Sequence, residues 1–197
     1  MLLAWLLVAC TVSGSSPPAD ELHQGKVIYG QSDTAALLIR APVAEVWRRL
    51  SDIEHWPTIF GDLESVRLLG RAGKFTEYAM VAKTPLGKKR YSLAFSQPGP
   101  YRLDFVLDKR QPADVDDAFG FWELRPADGG SGTIVVYRGR YETSFPLPQF
   151  LRRKMAESML TDLRTFVSRH PAPPPAPQPQ PPAPPPSAAG SANSASR

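Results

Sequence analysis

Hydrophobic positions recur along this chain with two different periods. Val43, Val46, Trp47, Leu50 and Ile53 fall at i, i+3, i+4, i+7 and i+10, and Arg48, Arg49 and Asp52 lie largely off that face. The spacing predicts an amphipathic helix. Pro42 suits its first residue, where a missing N–H costs nothing. The apolar run Thr34–Ala41 before it reads as a strand. Pro57 is expected to end whatever helix follows Asp52.

The period then falls to two. Tyr91, Leu93 and Phe95 share one face, and Leu103, Phe105 and Leu107 share another, opposite Arg102, Asp104 and Asp108. Strands are predicted in LESVRLLG, KFTEYAMVAKT, KKRYSLAFSQ, YRLDFVLD, AFGFWELRP and GTIVVYRGRYE, punctuated by PLGK at Pro85–Lys88, PGP at Pro98–Pro100 and ADGGSG. Such alternation belongs to an antiparallel sheet with one wet face. The helical period returns in PLPQFLRRKMAESMLTDLRTFVSRH, with Leu151, Met155, Met159, Leu163 and Phe166 as the expected buried stripe. One strand, a helix pair, six strands and a long helix indicate an α+β domain. A curved antiparallel sheet around the long C-terminal helix would bury both apolar faces.

Composition separates this domain, residues 27–170, from the ends. Residues 171–197 hold half of the 22 prolines and read as a polyproline spacer followed by Ser/Ala/Gly coil, or as a PxxP ligand. At the other end, MLLAWLLVAC carries an apolar run too short to span a bilayer, which takes about 20 residues. It fits an export signal over residues 1–10, followed by a flexible linker over 11–26. LVAC resembles the bacterial lipobox, which makes Cys10 the candidate lipidation site and the protein an exported lipoprotein. The competing readings are periplasmic secretion without an anchor and a cytoplasmic protein with an apolar N-terminus. Cys10 is the only cysteine, which excludes a disulfide framework. A net charge of +4 gives no case for nucleic acid. Neither a CxxC motif nor a Gly-rich phosphate loop is present, so no cofactor is expected, and the protein is read as a monomer.

The segment RAPVAEVWRRLSDIEHWPTIFGDLESVRLL resembles the opening of the START-like (SRPBCC) superfamily, the helix-grip fold. A-P-x-x-x-V-W from Ala41, D-x-x-x-W-P from Asp52 and V-x-x-L from Val66 carry the likeness. GKKRYSLAF, GFWELRP, GTIVVYRGRYE and PLPQFL extend it over residues 27–169. Members include polyketide cyclase/dehydrase-like and coenzyme-Q-binding START proteins. The resemblance implies an apolar cavity between sheet and long helix, for a lipid, quinone, sterol or polyketide. Binding of such a ligand at a membrane surface is the expected function, and a cyclase or dehydratase is the alternative.

Several residues are candidates for that chemistry. Asp52, Glu54 and His55 look like a site, but the two carboxylates point apart. His55 also lacks the second histidine at i+4 that a zinc helix needs, so no metal is expected. Asp52 reads as an N-cap accepting a backbone N–H. The expected cavity lining is Trp56, Tyr78, Met80, Tyr91, Leu93, Phe95, Leu103, Phe105, Trp122 and Tyr137. Met155 and Met159 add adaptable thioether surface from the long helix. Glu123 and Arg138 would supply polar groups if their registers turn them inward, and Glu123 is the candidate acid or base of the enzymatic alternative. Two basic triplets, Lys88–Lys89–Arg90 and Arg152–Arg153–Lys154, are candidate contacts for an anion or membrane. The second opposes the macrodipole at a helix N-terminus, and polybasic patches gain about 1 kcal/mol per residue at anionic membranes. The lipobox reading predicts that the wild type fractionates with membranes and a Cys10→Ser variant does not. A soluble wild type rejects the anchor.

Overall fold

The computed structural model describes residues 19–30, 33–84, 87–144 and 147–171. Cys10, the leader and the proline-rich tail from Ala172 onward lie outside them, as do Pro85 and Leu86 of the PLGK turn. Among the described residues, four helices and eight strands follow in chain order. They are α1 (Ala19–His23), β1 (Ile28–Tyr29), β2 (Thr34–Ile39), α2 (Val43–Leu50), α3 (Trp56–Ile59), β3 (Leu63–Ala72), β4 (Phe75–Thr84), β5 (Gly87–Gly99), β6 (Arg102–Leu107), β7 (Asp117–Ala127), β8 (Gly132–Glu142) and α4 (Gln149–Arg169). A short 3-10 turn, Ile53–His55, joins α2 to α3.

The strands form one curved antiparallel sheet in the order β1-β2-β8-β7-β6-β5-β4-β3. Strands β3 to β8 are a meander of neighbours in sequence. Strand β2 then pairs with β8, from Thr34 opposite Arg138 to Ile39 opposite Thr133. Register shifts interrupt the β3–β4 and β5–β6 ladders, and bulges of this kind bend the strand that carries them. Helix α4 lies across the inner face against β2 and β8, and it also touches α2 and α3. This is the α+β helix-grip arrangement that the hydrophobic pattern and the family resemblance both implied.

The unbroken run TAALLI has a physical reason. Ala35, Leu37 and Ile39 enter the main core, whereas Ala36 and Leu38 pack outward against Leu22 of α1. A strand covered on both faces has no polar alternation. The region 11–26, expected as flexible linker, therefore ends in a short helix docked by a buried leucine. Thr133 ties the layers together by donating its hydroxyl to the Ala41 carbonyl at 2.7 Å, in the buried interior.

Four local expectations change. Pro42 is the N-cap of α2, one residue before the helix, with an extended ψ of 146°. Pro57 opens α3 and does not end a helix, because its absent N–H falls in the first turn. Asp52 occupies the N-cap position but makes no side-chain cap. Its carboxylate instead meets His55 Nδ1 at 2.9 Å, the nearer partner along an exposed turn. Finally, the buried stripe of α4 is Ala156, Leu160, Leu163 and Val167. Of the expected stripe only Leu163 belongs to it. Leu151, Met155, Met159 and Phe166 are half-buried, since they sit on the adjoining flank of the helix.

Leu160 and Leu163 are fully buried between α4 and the sheet. Leu160→Ala is expected to cost about 2–5 kcal/mol of stability, as large-to-small changes in a packed core do. Chemical denaturation measures it, and a loss below about 0.5 kcal/mol would mean that α4 is not seated there.

Candidate ligand-binding cavity

Between the inner sheet face and the N-terminal half of α4 lies a cavity of about 450 Å³. Its existence follows from the shape of its walls. The sheet curves, α4 is held down at Leu160, Leu163 and Val167, and the flank carrying Leu151, Met155, Ser158 and Met159 faces space it does not fill. The floor is aromatic. Trp56, Phe60, Phe95, Phe105, Trp122 and Tyr137 all line it and all are buried. Trp56 meets Phe60, Phe95 and Trp122 edge-on at centroid distances of 5.3, 5.4 and 6.2 Å. Its indole N–H donates to the Leu50 carbonyl at 2.8 Å. It is 3% exposed, so it is a floor residue and not part of the rim.

Strand alternation places most of the expected lining. Met80, Tyr91, Leu93, Phe95, Phe105, Trp122, Tyr137, Met155 and Met159 line the cavity together with Trp56. Tyr78 and Leu103 do not; the Tyr78 ring packs edge-on against Phe95 at 5.8 Å. Phe60, Val115, Tyr141, Leu147 and Leu151 line it unforeseen. Tyr141 was readable from the inward parity of Tyr137, two pleats away, whereas Val115 lies between strands and has no periodic signal.

Glu123 and Arg138 turn away from the cavity, because their neighbours Trp122 and Tyr137 face it and successive side chains alternate. Glu123 instead joins a salt-bridge cluster on the outer face, 3.0 Å from Arg102 Nη1 and 2.7 Å from Arg125 Nε. It is therefore not available as a cavity acid or base. The Asp52–His55 pair is also outside. The hydrogen bond to Asp52, and then the carboxylate charge, raises the pKa of this exposed imidazole. Among the described residues no group of three or more His, Cys, Asp or Glu side chains is placed to hold a metal.

The polar groups deep in the lining are three phenols and the Trp122 indole N–H, which meets no hydrogen-bond acceptor among the described residues. Tyr137 and Tyr141 hydrogen-bond to each other, and the Tyr91 ring stands 6.2 Å from that of Tyr141. Burial pushes all three phenols above their ordinary value. They are neutral hydrogen-bond groups at physiological pH and poor bases. Two glycines make the arrangement possible. A Cβ on Gly139 would stand 1.9 Å from the Tyr137 hydroxyl, so the phenol lies along the strand over a position with no side chain. Its strand partner Gly120 leaves room for the Phe105 ring, 2.6 Å from where a Cβ would be. The motif YRGRY is thus a phenol, a gap and a second phenol on one face.

The basic triplets separate. Lys88 pairs with Glu64 at 2.8 Å, Arg152 with Asp33 at 3.4 Å, and Arg153 stacks over the Tyr29 ring at 5.2 Å. Arg90 is exposed. Lys89 and Lys154 alone among the six line the cavity.

The family model described as "Polyketide cyclase / dehydrase and lipid transport" matches residues 39–168. The chain belongs to this family. Among solved structures it is similar to TTHA0849 from Thermus thermophilus, at 27% identity and a TM-score of 0.60, over 69% of this chain and 96% of that one. A START superfamily protein from Mycobacterium smegmatis is 16% identical with a TM-score of 0.60, over 69% and 96%. The Zhui aromatase/cyclase from Streptomyces sp. R1128 is 17% identical with a TM-score of 0.56, over 69% and 92%. The last two likenesses are of fold. No curated protein matches the chain. Family and fold therefore support binding of a hydrophobic small molecule and embrace both lipid transport and polyketide cyclisation.

The phenols make a testable pH statement. Unfolded tyrosines ionise near pH 10, and Tyr91, Tyr137 and Tyr141 ionise above that in the fold. Stability is then unaffected by them below about pH 10 and falls as pH rises past it, because the unfolded chain releases those protons first. In a tyrosinate absorbance titration, these three of the six tyrosines are expected to appear only with alkaline unfolding. Reversible ionisation of all six in the folded protein would contradict it.

Proposed function

We propose that this protein binds a hydrophobic ligand, of the lipid or quinone kind, in the cavity beneath α4 and carries it at a membrane surface. The observation that supports this is the cavity itself, about 450 Å³ with an aromatic floor. Small-molecule pockets span about 300–1,000 Å³ and combine apolar walls with a few polar groups that fix orientation. The three neutral phenols are suited to that polar role. Methionines on α4 supply a wall that adapts to ligand shape. The membrane part rests on a separate feature. Phe150, at the start of α4, is 72% exposed, and Arg153 and Lys154 follow it on the same turns. An exposed aromatic beside cations matches the chemistry of a lipid interface. Export and anchoring through Cys10 belong to the same proposal.

One observation favours the enzymatic alternative. A neutral phenol can donate a hydrogen bond to a ligand carbonyl, as a cyclase would need. Acid–base work also needs a proton acceptor of suitable pKa in reach. Among the described lining residues the only carboxylate is Asp62, which is exposed, and none is histidine. The binding reading is the better supported.

Native mass spectrometry of gently purified protein is expected to show a co-purifying apolar molecule. Met155→Trp, which fills the cavity from the helix side, is expected to remove that molecule and leave a cooperative thermal transition. A wild type that holds no such molecule, and binds no neutral environment-sensitive dye, rejects the proposal.

A further inference from the structure

The lining divides by exposure. The residues of the floor are buried aromatics, and the exposed ones are Asp62, Lys83 and Lys154. Lys89 is half-buried between floor and rim. It shares the inward face of β5 with Tyr91, Leu93 and Phe95, so its stem runs over the same apolar surface. Lys154 lies on the flank of α4 that carries Leu151, Met155 and Ser158.

Most cations of the sheet and of α4 near this region have a partner, among them Lys88, Arg102, Arg110 and Arg152. Lys89 and Lys154 have no ion-pair partner among the described residues. Lys83 is different, since it and Lys88 both hold the Glu64 carboxyl below its ordinary range, Lys88 more strongly through its hydrogen bond. Three lysines against one lining carboxylate leave the mouth positive. An unpaired ammonium at a half-buried apolar site carries a desolvation cost that an arriving anion relieves. Two triplets 64 positions apart in the chain, at Lys88–Arg90 and Arg152–Lys154, thus each contribute one lysine to the lining of the same opening.

We infer that the occupant is an amphiphile with one anionic head group, bound tail-inward with its head held at the mouth by Lys89 and Lys154. This rests on the binding function proposed above and assigns its ligand class. A fatty carboxylate and a phosphate-headed lipid share that chemistry.

The test uses the full chain and intrinsic tryptophan quenching, with a saturated fatty acid, the matching lysophosphatidic acid, the matching fatty alcohol and the matching alkylammonium. At low salt the wild type is expected to bind an acid about tenfold tighter than the alcohol, equivalent to about 1.4 kcal/mol, and the alkylammonium more weakly still. Whichever acid binds tighter identifies the head group. Lys89→Met with Lys154→Met keeps both stems and is expected to remove the preference while changing alcohol affinity less than about twofold. Lys88→Gln with Arg90→Gln removes the same charge outside the cavity and is expected to retain it. Equal wild-type affinity for acid and alcohol overturns the inference and leaves the cavity function standing. So does loss of the preference in the Lys88/Arg90 variant, which would assign it to general surface charge. Failure of all four probes overturns the inference, and failure of a neutral environment-sensitive dye to bind as well overturns the cavity function with it.

Discussion

Leu160, Leu163 and Val167 press α4 onto the sheet, and the rest of the molecule is arranged around that contact. It is a clamp at one end of the helix. The sheet curves away beneath the other end, so a stripe that is continuous in the sequence is divided in space. Its C-terminal part is core, in which every side chain has neighbours on all sides. Its N-terminal flank is a wall with nothing opposite. A straight helix over a flat sheet would have filled both halves and left no room for a ligand. The pairing of β2 with β8 completes the constraint, because it brings the start of the domain beside the strand that leads into α4.

The walls of the opening differ in polarity from bottom to top. The aromatic floor excludes water. Tyr137 within that floor, with Tyr91 and Tyr141 beside it, offers hydrogen bonds without charge, and the lysines offer charge at the solvent boundary. The hydroxyls of Tyr137 and Tyr141 pair with each other and the lysines stay partly wet, whereas the buried Trp122 indole N–H meets no acceptor among the described residues and bears a desolvation cost. A molecule with the same sequence of polarities along its length would meet a complementary surface throughout.

Most of the fold was readable in the sequence, since strand and helix periods are local. Tyr91, Leu93 and Phe95 report their shared face directly. The shift in the α4 stripe was not readable, because Leu151, Met155 and Met159 are as apolar as true core residues, and an unfilled wall looks the same as a filled one in a one-letter code. The facing of Glu123 and Arg138 depended on the parity of β7 and β8 relative to the helix. Trp122 and Tyr137 fix that parity only once it is known which side α4 covers. Asp52 was a sound cap by position, and the nearby imidazole outcompeted the backbone for it. That Lys89 and Lys154 line one cavity is a long-range fact with no local signature.

Gly139 has a consequence of a different kind. The Tyr137 phenol occupies a space that any side chain at 139 would claim, so the two positions are one steric unit. Conversion of this glycine to alanine in a related chain would swing the hydroxyl aside without touching the ligand itself. The selectivity of such a pocket can then diverge through a backbone position that never contacts its cargo. Sequence comparison restricted to contact residues would overlook the change, and two proteins with identical linings could discriminate between different molecules.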